Sequence, residues 1–371
     1  MSTAEEVETI ADPLHPRRTS DLVGHEAAER DILSAIAGNR MPHAWLIAGP
    51  RGVGKATLAY RFARRLLRGE RDAGENDSLA MPPDDPLFQR VAAGGHGNLL
   101  MIERGIDPER KVMRNVIVID DVRKLQGFYG RTGAEGGWRV CIVDSADEMN
   151  PNAANALLKT LEEPPKDSAL ILVSHAPGRL LPTIRSRCRM LRLTPLENEQ
   201  VQAVLTARLP DLDTDEAQGL AILARGAPGR AMALAEAGGL ALYRSIVGHL
   251  SRMPGLDIPA LYDLAEEIGG RGAEARFRLF CDLMSDWLSR FLRATAGGRT
   301  VPDIVEGESE IHARLGAALP LEHWVELWDK AGRLGARADG LYLDRKQTVI
   351  ALFSMIDAAA RGQPPSPADG P

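Results

Sequence analysis

The chain has 371 residues, 44% of them hydrophobic, enough for two or three cores, since a single core stops growing well before that length. Its 45 Lys and Arg against 51 Asp and Glu give a net charge of -6, which excludes a protein that grips nucleic acid through bulk positive charge. Three widely spaced cysteines, Cys141, Cys188 and Cys281, offer neither a disulfide framework nor a zinc ligand set, and no apolar stretch approaches the ~20 residues of a membrane span.

Residues 1–20 are polar and acidic and lack the basic start and apolar core of a signal peptide, which predicts a soluble, cytoplasmic protein. Up to residue 193, short apolar runs alternate with helical patterns, the signature of a mostly parallel sheet with helices on both faces. Strands are predicted at 44–48, 99–102, 139–143 and 169–174. The polar stretch 69–85 reads as a surface excursion with no core of its own.

The strand at 44–48 runs into Gly49, Pro50, Arg51, Gly52, Val53, Gly54 and Lys55, and a helical pattern follows from Ala56. Strand, G-x4-G-K loop and helix stand in the order of a phosphate-binding loop. Its glycines permit positive φ, its N–H groups and the helix N-terminus face phosphate, and Lys55 reaches the terminal phosphates. The next position normally carries Ser or Thr for Mg²⁺, yet here it is Ala56, which has no oxygen to offer. Thr57 lies about 100° further around the helix, so its hydroxyl points away from the metal position. The same helix carries Arg61, Arg64, Arg65 and Arg68, a basic cluster that leaves two readings open, a face toward a duplex and a solvated face.

The strand at 139–143 ends at Asp144, where such a fold places the carboxylate that holds Mg²⁺. A water-positioning carboxylate is expected beside it, but Ser145 stands there, and a neutral hydroxyl is a poor base. After a regular turn, Asp147 and Glu148 would face away from the pocket. Asn150 and Pro151 then read as the cap and first residue of a helix that Pro164 and Pro165 stop. Short helices follow at 201–208 and 215–225, closed by Gly226 and Pro228. Beyond Gly238 and Gly239 the pattern is helical, with amphipathic stretches at 241–251, 273–294, 321–332 and 345–360, and the Pro- and Gly-rich end reads as disordered.

The run Asn150-Pro-Asn-Ala-Ala-Asn-Ala-Leu-Leu-Lys-Thr-Leu-Glu-Glu-Pro-Pro165, with Ser186-Arg187-Cys188 beyond it, closely resembles the signature of bacterial clamp-loader subunits, AAA+ proteins of DNA polymerase III. The resemblance implies an α/β AAA+ P-loop domain over 1–193, a helical lid over 194–237, an all-α collar over 238–360 and a disordered tail over 361–371. It implies that Arg187 reaches in trans into the ATP site of a neighbouring subunit, where an always-charged, planar guanidinium suits a developing phosphoryl charge.

In that frame Gly49, Gly52, Gly54, Lys55 and Asp144 form a degenerate nucleotide site, with Ala56 and Ser145 in place of key residues. The expected protein is a non-hydrolysing ring member that helps place a sliding clamp on primed DNA beside gamma/tau and delta subunits. The alternative is an active gamma/tau-like motor, with Thr57 or water holding Mg²⁺ and Asp147 replacing the missing base. ATP or ADP bound without hydrolysis is compatible with the first reading, which requires no cofactor. Gly229-Arg230-Ala231 resembles the sensor-2 region, equally readable as a helix cap, and Ser174 and His175 occupy the sensor-1 neighbourhood, where the family prefers Thr or Asn. Many relatives carry a four-cysteine zinc module after the first helix. Residues 69–100 contain no cysteine, so no zinc is expected, and His96 reads as a surface or loop histidine. No polymerase carboxylate set is visible.

Overall fold

The computed structural model describes residues 15–38, 41–69, 78–107, 109, 111–130, 136–297, 301–341 and 344–364. Contacts divide the chain into two compact units, Met1–Val204 with Gly226–Arg230, and Leu205–Arg225 with Ala231–Pro371.

The first unit is built on five parallel strands: β1 (Ala44–Ala48), β2 (Leu99–Ile102), β3 (Arg139–Val143), β4 (Ser168–Ser174) and β5 (Arg189–Arg192), in the order β2-β3-β4-β1-β5. The central strands β1 and β4 are buried at every residue, which is why they read as unbroken apolar runs. β5, which sequence patterning misses, has the burial pattern of an edge strand. Arg189 and Arg192 flank a single buried Leu191, and the Arg189 guanidinium lies 5.0 Å from the centre of the Trp45 ring.

Helices α1 (Glu26–Ala37), α2 (Lys55–Arg68), α3 (Pro86–Ala92), α4 (Ile119–Gly130), α5 (Pro151–Glu162) and the short α6 (Pro182–Arg185) complete this layer. One face of the sheet is sealed by α4 and α5 over Ala44, Leu46, Cys141, Val143, Leu170 and Leu172. Asn150 caps α5 as expected, accepting from the Ala153 N–H at 2.8 Å. Part of the expected excursion after α2 lies outside the described residues. Its described part is anchored, with Leu79 and Met81 buried, and so differs from a solvated loop.

The chain continues as α7 (Asn198–Arg208), α8 (Thr214–Ala224) and α9 (Pro228–Glu236). Arg225 and Gly226 both have positive φ between α8 and α9, and the Leu196 N–H donates to the Gly226 carbonyl at 2.9 Å. Among the described residues, six further helices join α8 and most of α9 in the second unit: α10 (Gly239–Leu250), α11 (Ile258–Gly269), α12 (Glu274–Thr295), α13 (Glu308–Gly316), α14 (Leu321–Leu341) and α15 (Arg345–Ala360). The long α12 packs on α10, α11, α13 and α14 through Phe277, Phe280, Trp287 and Phe291. No helix among the described residues is long and apolar enough to cross a membrane.

Within this aromatic core lies a fully buried carboxylate. Glu308 accepts from the Tyr243 hydroxyl, from the Ile304 N–H at 2.9 Å and from the Arg290 guanidinium at 3.2 Å. Burial, followed by the Glu308 charge, drives the Tyr243 hydroxyl far above its ordinary pKa, so it keeps its proton and donates it to Glu308. Glu308→Ala would strand the Arg290 charge and the Ile304 N–H, and should cost roughly 3–5 kcal/mol of stability. Urea unfolding followed by tryptophan fluorescence measures this; a loss below about 1 kcal/mol would show that the cluster contributes little.

Candidate nucleotide site

The phosphate loop leaves the C-terminal end of β1 beside the ends of β3 and β4, the edge of a parallel sheet where ligands bind. The Gly49 N–H donates to the Ser174 carbonyl at 3.2 Å, which ties the start of the loop to β4. Gly52 (φ +76°) and Gly54 (φ +110°) adopt backbone that other residues rarely reach. Space forbids a side chain there as well. A Cβ on Gly52 would meet the Arg230 nitrogen at 2.7 Å, and one on Gly54 would meet the Leu22 side chain at 2.8 Å.

Four carbonyls of the loop are given partners. Pro50 accepts from Lys55 Nζ at 2.5 Å, Gly52 from the Gly229 N–H at 2.8 Å, Val53 from His25 Nε2 at 2.8 Å, and Gly54 from the Leu58 N–H at 2.9 Å. The bond to Val53 fixes the proton of the buried His25 on Nε2. By contrast, the N–H groups of Gly52, Val53, Gly54 and Lys55 donate to no protein acceptor among the described residues. Four consecutive donors left over beside paired carbonyls make an anion cradle. The residues therefore fit the phosphates of a nucleotide.

They fit its magnesium poorly. Ala56 carries a methyl where such a loop ordinarily has the metal's hydroxyl ligand. Asp144 does stand at the end of β3, as the sequence indicates, with its N–H donating to the Ile102 carbonyl at 2.9 Å. Burial pushes its carboxyl upward, against the Ser145 backbone hydrogen bond and the Lys55 charge, which favour ionisation.

The turn after Asp144 overturns the expectation that Asp147 and Glu148 face away. Ser145 adopts φ +57° and ψ +50° and starts a single 3-10 turn, Ala146–Glu148, which carries both acids back to the site. Asp147 accepts from the His175 N–H at 3.1 Å, and its other oxygen lies 3.0 Å from His175 Nε2. Glu148 accepts from Arg51 at 2.7 Å and lies 3.1 Å from Arg104 Nε. Arg51 also lies 3.0 Å from His175 Nε2, and burial lowers the His175 pKa while Asp147 opposes that shift. Arg104 is a contributor that sequence patterning leaves out, because only the fold brings positions 104 and 148 together.

Other candidates separate clearly. Arg187 lies on the surface just after α6, bonded to Glu162 at 2.9 Å and to the Thr183 carbonyl at 3.1 Å. Gly229 and Arg230 sit at the phosphate loop, as their sequence neighbourhood suggests. The arginines of α2 fit neither open reading, because Arg61 and Arg64 are buried. Arg61 pairs with the buried Glu29 at 2.7 Å, and Arg64 donates to the carbonyls of Arg17 and Thr19 and covers the Phe88 ring at 4.3 Å. Arg68 pairs with Asp85. This side of the helix carries the 16–20 and 85–88 segments, so two of its charges serve packing. His96 is also corrected: it is buried, and its Nδ1 accepts from the Asn98 N–H at 3.2 Å.

Residues 24–197 match the family described as DNA polymerase III, delta subunit. The chain is 40% identical over 187 residues to DNA polymerase III subunit delta' of Pseudomonas aeruginosa, covering 50% of this chain and 53% of that relative, so it spans about half of that relative's length. It is 30% identical over 264 residues to subunit delta' of Escherichia coli, covering 70% of this chain and 73% of that relative. Subunit tau of Escherichia coli is 30% identical over 225 residues, covering 60% of this chain and 32% of that protein.

Burial lowers Lys55 from 10.5 to about 8, opposed by Asp144 and Asp147 and reinforced by Arg51. A lysine whose folded pKa is depressed destabilises the fold while it is charged, and the penalty fades as pH rises from about 8 to 10.5. Lys55→Met should therefore raise the thermal midpoint at pH 7, with the gain shrinking across that window. A gain independent of pH, read by differential scanning fluorimetry, would contradict the burial argument.

Proposed function

The chain belongs to the delta-prime family of DNA polymerase III clamp-loader subunits, and from that membership we propose that it is a ring subunit that does not hydrolyse ATP. Its role is to lend Arg187 to the ATP site of an adjacent gamma/tau subunit while the loader, with the delta subunit, places the sliding clamp on primed DNA. Bound ATP or ADP is part of this reading, held without turnover.

The observation that carries the proposal is the occupation of the pocket's acids. A working site needs a carboxylate free to position water, and Ser145 is none. The motor alternative asks Asp147 for that base, but both of its oxygens face His175. Glu148 is held between Arg51 and Arg104. Metal, when present in such a site, neutralises phosphate charge, and Ala56 removes its hydroxyl ligand.

Arg187 is suited to the opposite task. It is partly exposed, always charged, and held only by a surface carboxylate and one carbonyl. Exposed pairs of this kind are worth at most about 1 kcal/mol, so a neighbour's phosphates can compete for the guanidinium.

In a loader reconstituted with gamma/tau, delta, clamp and primed DNA, Arg187→Ala should leave assembly intact on gel filtration. It should slow turnover at the adjacent site by about 10³-fold or more. Unchanged stimulated turnover would remove the role, and brisk ATP hydrolysis by the purified chain alone would remove the claim that it is no motor.

A further inference from the structure

Around the phosphate loop, carboxylates and cations are unequally free. Glu148 accepts from Arg51 and lies beside Arg104, one Asp147 oxygen accepts from the His175 N–H, and residue 56 presents a methyl. Of the oxygens that ordinarily hold magnesium in a P-loop, only Asp144 is left, and it acts through water. The anion-binding half of the site is complete. Four consecutive N–H groups, from Gly52 to Lys55, have no protein acceptor among the described residues, and Lys55 and Arg51 stand beside them. Ser174, at the end of β4 where the loop begins, is fully buried, and its hydroxyl has no hydrogen-bond partner among the described residues.

We propose that this loop binds a nucleoside di- or triphosphate in its metal-free form, with Lys55, Arg51 and the loop N–H groups supplying the positive charge that magnesium supplies elsewhere. The inference rests on the reading that the loop still admits nucleotide, and it is independent of Arg187. Lys55 Nζ needs only to exchange the Pro50 carbonyl for a phosphate oxygen. Arg51 is 71% exposed on a flexible stem, so its guanidinium can move from Glu148 to phosphate at little cost. A planar fork facing phosphate makes paired, charge-assisted hydrogen bonds. Magnesium bound to the nucleotide cancels the negative charge that these cations recognise and finds no hydroxyl ligand at residue 56. Metal should therefore weaken binding, the reverse of its effect in a hydrolysing P-loop.

Titration calorimetry of the full chain with ADP, and separately with pyrophosphate, in excess EDTA and in excess MgCl₂ tests this directly. ADP should bind at least about threefold more tightly in EDTA. Arg51→Ala should weaken binding in EDTA by about tenfold with an unchanged melting temperature, and Ala56→Ser should shift the preference toward magnesium. Tighter binding in magnesium, an Arg51→Ala variant that binds as the parent does, or no binding in either buffer would each overturn the inference. None of these results touches the trans role of Arg187. Hydrolysis of ATP by the chain alone, followed in the same samples, would instead strike the non-hydrolysing reading.

Discussion

The phosphate loop holds its shape because its carbonyls are satisfied from the protein side. Gly229, His25, Lys55 and Leu58 each donate to one of them, and the N–H groups from Gly52 to Lys55 are left without protein acceptors. The same bonds draw three distant stretches onto one loop, the 22–25 segment, the end of β4 and the 226–230 segment. Glycine is required at both tight points, Gly52 against Arg230 and Gly54 against Leu22.

Electrostatics decide what such a loop can do. The one extra turn after Asp144 brings Asp147 to His175 and Glu148 to Arg51 and Arg104. The positive φ of Ser145 is the small backbone event behind that change. Glu148 then lies against Arg51 and Arg104 and Asp147 against His175, while the N–H groups from Gly52 to Lys55 stay without protein acceptors among the described residues.

Elsewhere, buried charge is used to build. Arg61 with Glu29, Arg64 on backbone carbonyls and a phenylalanine ring, and Glu308 between Tyr243 and Arg290 are all removed from water and all provided with partners. Each would be expensive alone, and together with its partner each fixes the geometry of chain segments that apolar packing would leave free to slide. Arg187 is the contrast: its ion pair with Glu162 lies at the surface, where it orients the guanidinium without committing it.

Much of the first unit was legible in the residues themselves. Four of the five strands follow from short apolar runs, the loop from glycine spacing, and the start of α5 from Asn150 and Pro151, because these features are local and a few neighbouring residues determine them. The losses at Ala56 and Ser145 were equally plain, since each is an atom present or missing. What only the tertiary structure decided was where charges end up. An arginine stripe on α2 reads as a wet or DNA-facing surface until Glu29, Phe88 and the Arg17 and Thr19 carbonyls fold over it, and β5 is invisible until an edge beside β1 accepts it. Likewise the turn at Ser145 and the pairing of Arg51, Arg104 and His175 with two acids join residues up to 124 positions apart. Sequence spacing carries no information about such encounters, because burial and ion pairing are set by the packed chain and not by the local backbone.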